Sequence, residues 1–173
     1  MKYIGIDIGD GESAVACLAE DSVIEPVIQP IDGRGSILSV VGMAGTEVRI
    51  GEKALLDRKV VHLRSRFKSR YLNTMDAERD IERFAHGLRT ALLEEADDFF
   101  DGDVYIAVGC PAGWKENDRA RYCEIMKRAG LGDVHIVSES RAAFFYARYA
   151  HELKVAPELL DQTTLVIDIG SST

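Results

Sequence analysis

Two segments of the 173-residue chain set an aspartate where an apolar run meets glycine: YIGIDIGDG at 3–11 and TLVIDIGSS at 164–172. β-Branched and aromatic residues predict a buried strand in each, and the small residues after Asp-Ile-Gly predict a tight turn. A carboxylate at the carboxyl end of a strand can face a hydrated divalent cation, while a turn without side chains lets backbone N–H groups approach phosphate oxygens. Asp7 and Asp168 are therefore candidate metal-positioning groups, acting through water. Two such turns facing each other would clamp a polyphosphate. Either string alone reads equally well as a capped turn, and the recurrence is what favours phosphate chemistry.

A competing motif overlaps the first turn. Gly9-x-Gly11-x-x-Ala14 satisfies the dinucleotide fingerprint, which also needs a helix opening at the second glycine and a parallel second strand. Here the next run, SAVACLAE, predicts a strand, and Asp7 would add a carboxylate beside a pyrophosphate with no metal to offset it. The dinucleotide reading is set aside.

The elements that must carry these turns follow from pattern. After the first strand, SAVACLAE, SILSVVGM and EVRIG predict a meander of short strands separated by IDGRGS and AGT. From Glu52 the chain turns helical, and the basic KVVHLRSRFKSRYL predicts helix and loop. The strongest helix is expected from Asp76 to Phe100, where Ile81, Phe84, Leu88, Leu92 and Phe99 make one apolar stripe and Gly102 ends it. VYIAVG, a helix over 116–129 capped by Gly130, VHIVSE and a helix over 140–154 come next, and TTLVIDIG predicts the last strand. Strand, helix, strand, helix, strand implies parallel pairing, hence an α/β class. The echo of Asp-Ile-Gly suggests two copies of one unit, the second opening as this chain stops.

Composition narrows the rest. With 46% hydrophobic residues and only four prolines, the chain can fill a core and is neither disordered nor fibrous. Twenty-one basic against 29 acidic residues leave a net charge of −8, which argues against a nucleic-acid partner. Cys17, Cys110 and Cys123 lack paired or zinc-like spacing, and His62, His86, His135 and His151 lack ligand spacing. Neither a signal peptide nor a membrane-length apolar run is present, so no membrane association and a cytoplasmic location are expected.

These residues carry a family resemblance. GIDIG at 5–9, VIDIGSST at 166–173 and the block between them resemble the actin-like ATPase superfamily, in particular the N-terminal lobe of the seventy-kilodalton heat-shock chaperones. GRGSILSVVGMAGTEVRIGEKAL resembles the family's paired-strand segment, RFKSR falls where the family has its catalytic lysine, VGCPAGWKENDR resembles its proline-switch segment, and VHIVSESRAAFFYA its glutamate segment. The resemblance implies a ribonuclease H-like lobe, with a mixed sheet flanked by helices, over residues 1–162. It places a reduced outer subdomain at about 35–100 and the truncated first strand and phosphate turn of a second lobe at 163–173.

By the same resemblance the cofactors are ATP and Mg²⁺. Lys68, Glu139 and Asp168 are the implied catalytic residues. Gly9, Asp10, Gly11, Gly170, Ser171, Ser172 and Thr173 are the implied phosphate-binding positions, and Pro111 and Arg119 the pair that couples the lobes. Asp10 stands where the family has threonine, which would bring a second carboxylate toward the γ-phosphate; Ser140 replaces a proline, and Ser171 and Ser172 replace glycines. The implied activity is that of a chaperone-like, Mg²⁺-dependent ATPase exchanging ATP for ADP, with unfolded clients and co-chaperones bound through regions beyond Thr173 and the fragment alone inactive. Two alternatives share the superfamily, a filament-forming ATPase and a small-molecule kinase.

Overall fold

The computed structural model describes residues 1–19, 26–71, 74–149, 158 and 162–167. Strand β1 (Lys2–Ile8) turns tightly into β2 (Glu12–Ala19), pairing antiparallel from Lys2↔Ala19 to Ile8↔Ser13. Two short strands, β3 (Val27–Ile28) and β4 (Ile37–Leu38), add to β2. The expected SILSVVGM strand is split: β5 (Val40–Ala44) belongs to a second sheet with β6 (Glu47–Ile50). Ser39 marks the break, its hydroxyl 2.7 Å from that of Ser13 in a buried pair that satisfies both groups.

A short helix, α1 (Gly51–Leu56), leads to β7 (Val61–Ser65), which pairs antiparallel with β5, and then to a four-residue helix, α2 (Phe67–Arg70). The basic stretch expected as helix and loop thus holds a five-residue strand before its four-residue helix. Gly42 of β5 admits the Val60 side chain where a Cβ would collide with it, so the two chains come close enough to pair.

Helix α3 (Met75–Glu95) spans 21 residues and buries Ile81, Phe84, Leu88 and Leu92 on one face, as the apolar stripe predicts. It stops at Ala96, short of the expected end at Phe100. Glu94, Glu95, Asp97 and Asp98 crowd the negative end of the helix dipole, and Lys2 draws the following loop back to β1 by donating to the Phe99 carbonyl at 2.7 Å.

The chain then enters β8 (Val104–Cys110), helix α4 (Glu116–Met126) with one π-type turn (Lys127–Leu131), β9 (Val134–Ser138) and α5 (Glu139–Tyr149). Gly130, at φ 90, takes the left-handed conformation expected of a helix-ending glycine. Both β1–β8 and β8–β9 are parallel, giving a mixed sheet in the order β3-β2-β1-β8-β9 with helices against it. The α/β class holds. Among the described residues, 162–167 join no strand and Leu165 and Ile167 are exposed; the rest of the expected last strand, 168–170, and residues 171–173 lie outside the described ones.

Alternation puts Ile4, Ile6 and Ile8 of β1 and Ile106, Val108 and Cys110 of β8 on one face, in a single core with the α3 stripe and with Tyr122, Ile125 and Met126 of α4. Trp114 closes its edge, 4.7 Å from the Tyr71 ring and 5.0 Å from that of Tyr122. The opposite face carries Gly5, Ala107 and Val137, and with Ala142 and Ala143 of α5 it lines a cavity of about 470 Å³. Truncating fully buried Leu88 to alanine is expected to cost about 2–5 kcal/mol of unfolding free energy, read as a lower urea midpoint at unchanged slope.

Candidate functional site

Parallel strands bring their carboxyl ends to one sheet edge, the position where open α/β sheets gather ligand groups. Asp7 stands one residue before the end of β1, Gly109 one before the end of β8, and Glu139 opens α5 directly after β9. Lys68 reaches the same edge from α2. Its ammonium donates to Glu139 Oε1 in a short contact and lies 3.7 Å from Asp7 Oδ1. The Lys68 side chain is 6% exposed, whereas that of Asp7 is 65% exposed. One cation thus faces two carboxylates, and the more open carboxylate looks to solvent. Gly109 makes the approach feasible, because a Cβ there would stand 3.2 Å from Glu139 Cγ and 3.6 Å from Asp7 Oδ1.

The first turn is shaped for close approach. Gly9 donates its N–H to the Glu12 carbonyl at 3.1 Å, and a Cβ on Gly9 would overlap that same carbonyl, so only glycine fits. Ser39 N–H donates to the Gly11 carbonyl at 2.8 Å and ties the turn to the strand break.

Asp10 does something its place in the turn does not announce. Its Oδ1 accepts the backbone N–H groups of Lys68 at 3.0 Å and Ser69 at 3.1 Å, capping α2 from 58 residues away. The residue is only 8% exposed, and Oδ2 is buried without a hydrogen-bond partner among the described residues. The carboxylate expected near a γ-phosphate is therefore turned to the start of α2, where unpaired backbone donors attract it.

Pro111 begins the loop after β8, and Arg119, in the first turns of α4, bonds back to that loop. Arg119 Nε donates to the Trp114 carbonyl at 3.1 Å and Nη2 to the Ala112 carbonyl at 3.4 Å, while the Pro111 carbonyl accepts Trp114 N–H at 3.2 Å. The guanidinium therefore clasps the loop that leaves β8. Burial raises the thiol pKa of Cys110, immediately before this loop, above its ordinary value; Glu139 adds to the rise, and Arg119 and Lys68 oppose it.

Of the remaining sequence-derived positions, Asp168, Gly170, Ser171, Ser172 and Thr173 lie outside the described residues. Among the described residues no cluster of three or more His, Cys, Asp or Glu is arranged to hold a metal, and no helix is long and apolar enough to cross a membrane. His135 stacks on Tyr105 at 4.1 Å. Sequence reasoning missed Tyr122, fully buried beneath the site, whose hydroxyl burial pushes well above its ordinary pKa and which has no hydrogen-bond partner among the described residues. No pattern in α4 marks it. Gly109 was findable, since glycine inside a strand often marks a close approach.

Replacing Asp10 by alanine is expected to cost about 0.5–2 kcal/mol of stability through loss of the cap. It should also speed amide exchange at Lys68 and Ser69, and Asp10→Asn, which keeps one acceptor, should lose less on both readouts.

No family model matches the chain. Over 98% of its length the chain is 26% identical to the chaperone protein DnaK of Thermosipho melanesiensis and 27% identical to that of Thermotoga neapolitana. The DnaK of Thermosipho africanus is 26% identical over the same share. The chain spans 29% of the length of these curated relatives. The resemblance to the seventy-kilodalton heat-shock chaperones, drawn from scattered motifs, thus extends along nearly the whole chain.

Proposed function

We propose that this chain supplies the first lobe of a chaperone-like, Mg²⁺-dependent ATP-binding and ATP-hydrolysing domain of the ribonuclease H-like, actin-like type. The observation that carries the reading is the buried Lys68 ammonium held between Glu139 and Asp7 beside a glycine turn that no larger residue fits. Likeness to DnaK over 98% of the chain supports the same reading.

The residues present suit a magnesium–nucleotide. Asp7 is open to solvent, as a group that orders a hydrated cation must be, and the tight Gly9–Gly11 turn follows it at the end of β1, where phosphate oxygens would lie. Bound Mg²⁺ would neutralise phosphate charge. Lys68 places positive charge where charge accumulates on the transferred phosphoryl group, and Glu139, already hydrogen-bonded to it, can orient a water through its remaining oxygen. Phosphoryl transfer depends mainly on such positioning and charge neutralisation. Arg119, bound to the loop after Pro111, transmits the state of the site rather than taking part in chemistry.

In this reading residues 1–162 form the lobe and 35–100 its small outer subdomain. Asp168, Gly170, Ser171, Ser172 and Thr173 open the second lobe, Asp168 completing the magnesium site and the other four the phosphate clamp. Unfolded polypeptides and co-chaperones would engage regions beyond Thr173, in the cytoplasm. Residues 1–173 alone, lacking the opposite wall of the cleft, are expected to bind ATP weakly or not at all and to hydrolyse none. Calorimetric binding in the low micromolar range would contradict this.

The deciding experiment is Mg²⁺-dependent ATP hydrolysis by the complete gene product, wild type beside Lys68→Ala, with no acceptor added. Slow turnover that Lys68→Ala lowers by about 10²-fold or more is expected, the scale of removing one transition-state contact. Turnover equal in both proteins removes Lys68 from the chemistry, and turnover only with an added small acceptor makes the protein a kinase.

A further inference from the structure

The chain is acidic overall, yet no Asp or Glu occurs between Asp57 and Asp76, while Arg58, Lys59, Arg64, Arg66, Lys68 and Arg70 all do. Strand β7 lies inside this stretch. It is an edge of the second sheet: β5 bonds one side, and no strand bonds the other among the described residues. All five β7 residues are exposed, including Val61 at 55% and Leu63 at 44%.

Beside this free edge, His62 and Arg64 of β7 and Arg79 and Arg83 of α3 line a cavity of about 270 Å³ together with Asp76 and Asp80. Arg79 and Arg83 stand one helical turn apart and so share a face. Asp80 is buried and spoken for, 3.2 Å from Arg70 Nη2 and 4.0 Å from Arg64 Nε. His62 and Arg79 make no hydrogen bond or ion pair among the described residues.

Charge on an edge strand commonly serves to repel unwanted pairing. Here the cations instead converge on a concavity between strand and helix, and apolar Val61 and Leu63 stay open beside it. A free oxyanion would fill the cavity but leave the strand's backbone groups unpaired, and a nucleic-acid duplex offers no extended peptide to pair with them. An acidic polypeptide in extended conformation meets the charge and can pair along Leu63–Ser65, beyond the bulge at His62 (φ 56).

We propose that β7 and the facing turns of α3 form a docking surface for an acidic extended segment of a partner protein, which adds as a strand to the free edge of β7 and sets its carboxylates against His62, Arg64, Arg79 and Arg83. None of the residues lining this cavity is among those that meet at the Lys68 ammonium.

The test uses the full chain and a fluorescein-labelled peptide of alternating Glu and Val, read by fluorescence anisotropy and by amide hydrogen exchange. Saturable binding that slows exchange within Val61–Ser65 is expected. Arg79→Glu, at an exposed and unpaired position, should weaken binding several-fold with an unchanged melting temperature, and adding Arg83→Glu should bring the loss to at least about tenfold, roughly 1.4 kcal/mol. The proposal is overturned by equal binding of a Lys–Val peptide, by undiminished binding to Arg79→Glu, or by β7 exchange that does not change. Competition by inorganic phosphate at equal concentration would reduce the surface to an oxyanion pocket, and preference for oligothymidylate would reassign it to nucleic acid. A dimer in sedimentation with β7 protected before peptide is added would give the edge to a second copy of the chain, again against the proposal.

Discussion

Lys68 keeps its ammonium almost wholly out of water, and such a group is costly to bury unless opposite charge stands within hydrogen-bond reach. Glu139 and Asp7 meet that demand from two different strand ends, and much of the local architecture follows from letting them do so. The parallel pairing of β1, β8 and β9 lines up the carboxyl ends, and Gly109 leaves the middle strand without a side chain that would hold the two carboxylates apart. Asp10 fixes the lysine from its other end through the backbone. The lysine is thus constrained twice, once at its main chain and once at its nitrogen.

That double constraint separates rigid parts of the site from adaptable ones. The turn after β1 is held by the Gly9–Glu12 hydrogen bond, by Ser39 and by Asp10 together, which leaves little freedom for the backbone there. Asp7, in contrast, is open to solvent and bound only loosely by the ammonium, so a competing cation can claim it without unfolding anything. Groups fixed in this way beside an open carboxylate need no rearrangement when charge develops next to them.

Much of this was legible in the residues. The Asp-Ile-Gly turn, the two-residue alternation of β1 and β8 and the stripe of α3 are local patterns that burial follows directly. Lys68 and Glu139 entered through resemblance, and the structure places them side by side, although nothing local in either segment declares the pairing. What escaped were effects of distant chain. Strand β7 hides in a basic run with no clear periodicity of its own, and its pairing partner β5, which Gly42 lets it approach, lies about twenty residues back. The resemblance sets Asp10 in the phosphate turn, and nothing in that turn signals the cap it provides to α2.

The pairing of Lys2 with Val104 has a consequence for how the sheet assembles on the ribosome. The β1–β2 hairpin is local and can form as soon as it emerges, and Asp10 can meet α2 once residue 70 is out. The central sheet must wait for β8, and the glutamate for the end of β9, since contacts of high sequence separation close last and slowly. Vectorial synthesis therefore delivers the lysine well before the partner that neutralises it. During that interval the ammonium has only Asp7 and solvent for company, and the arrival of α5 brings Glu139 to it.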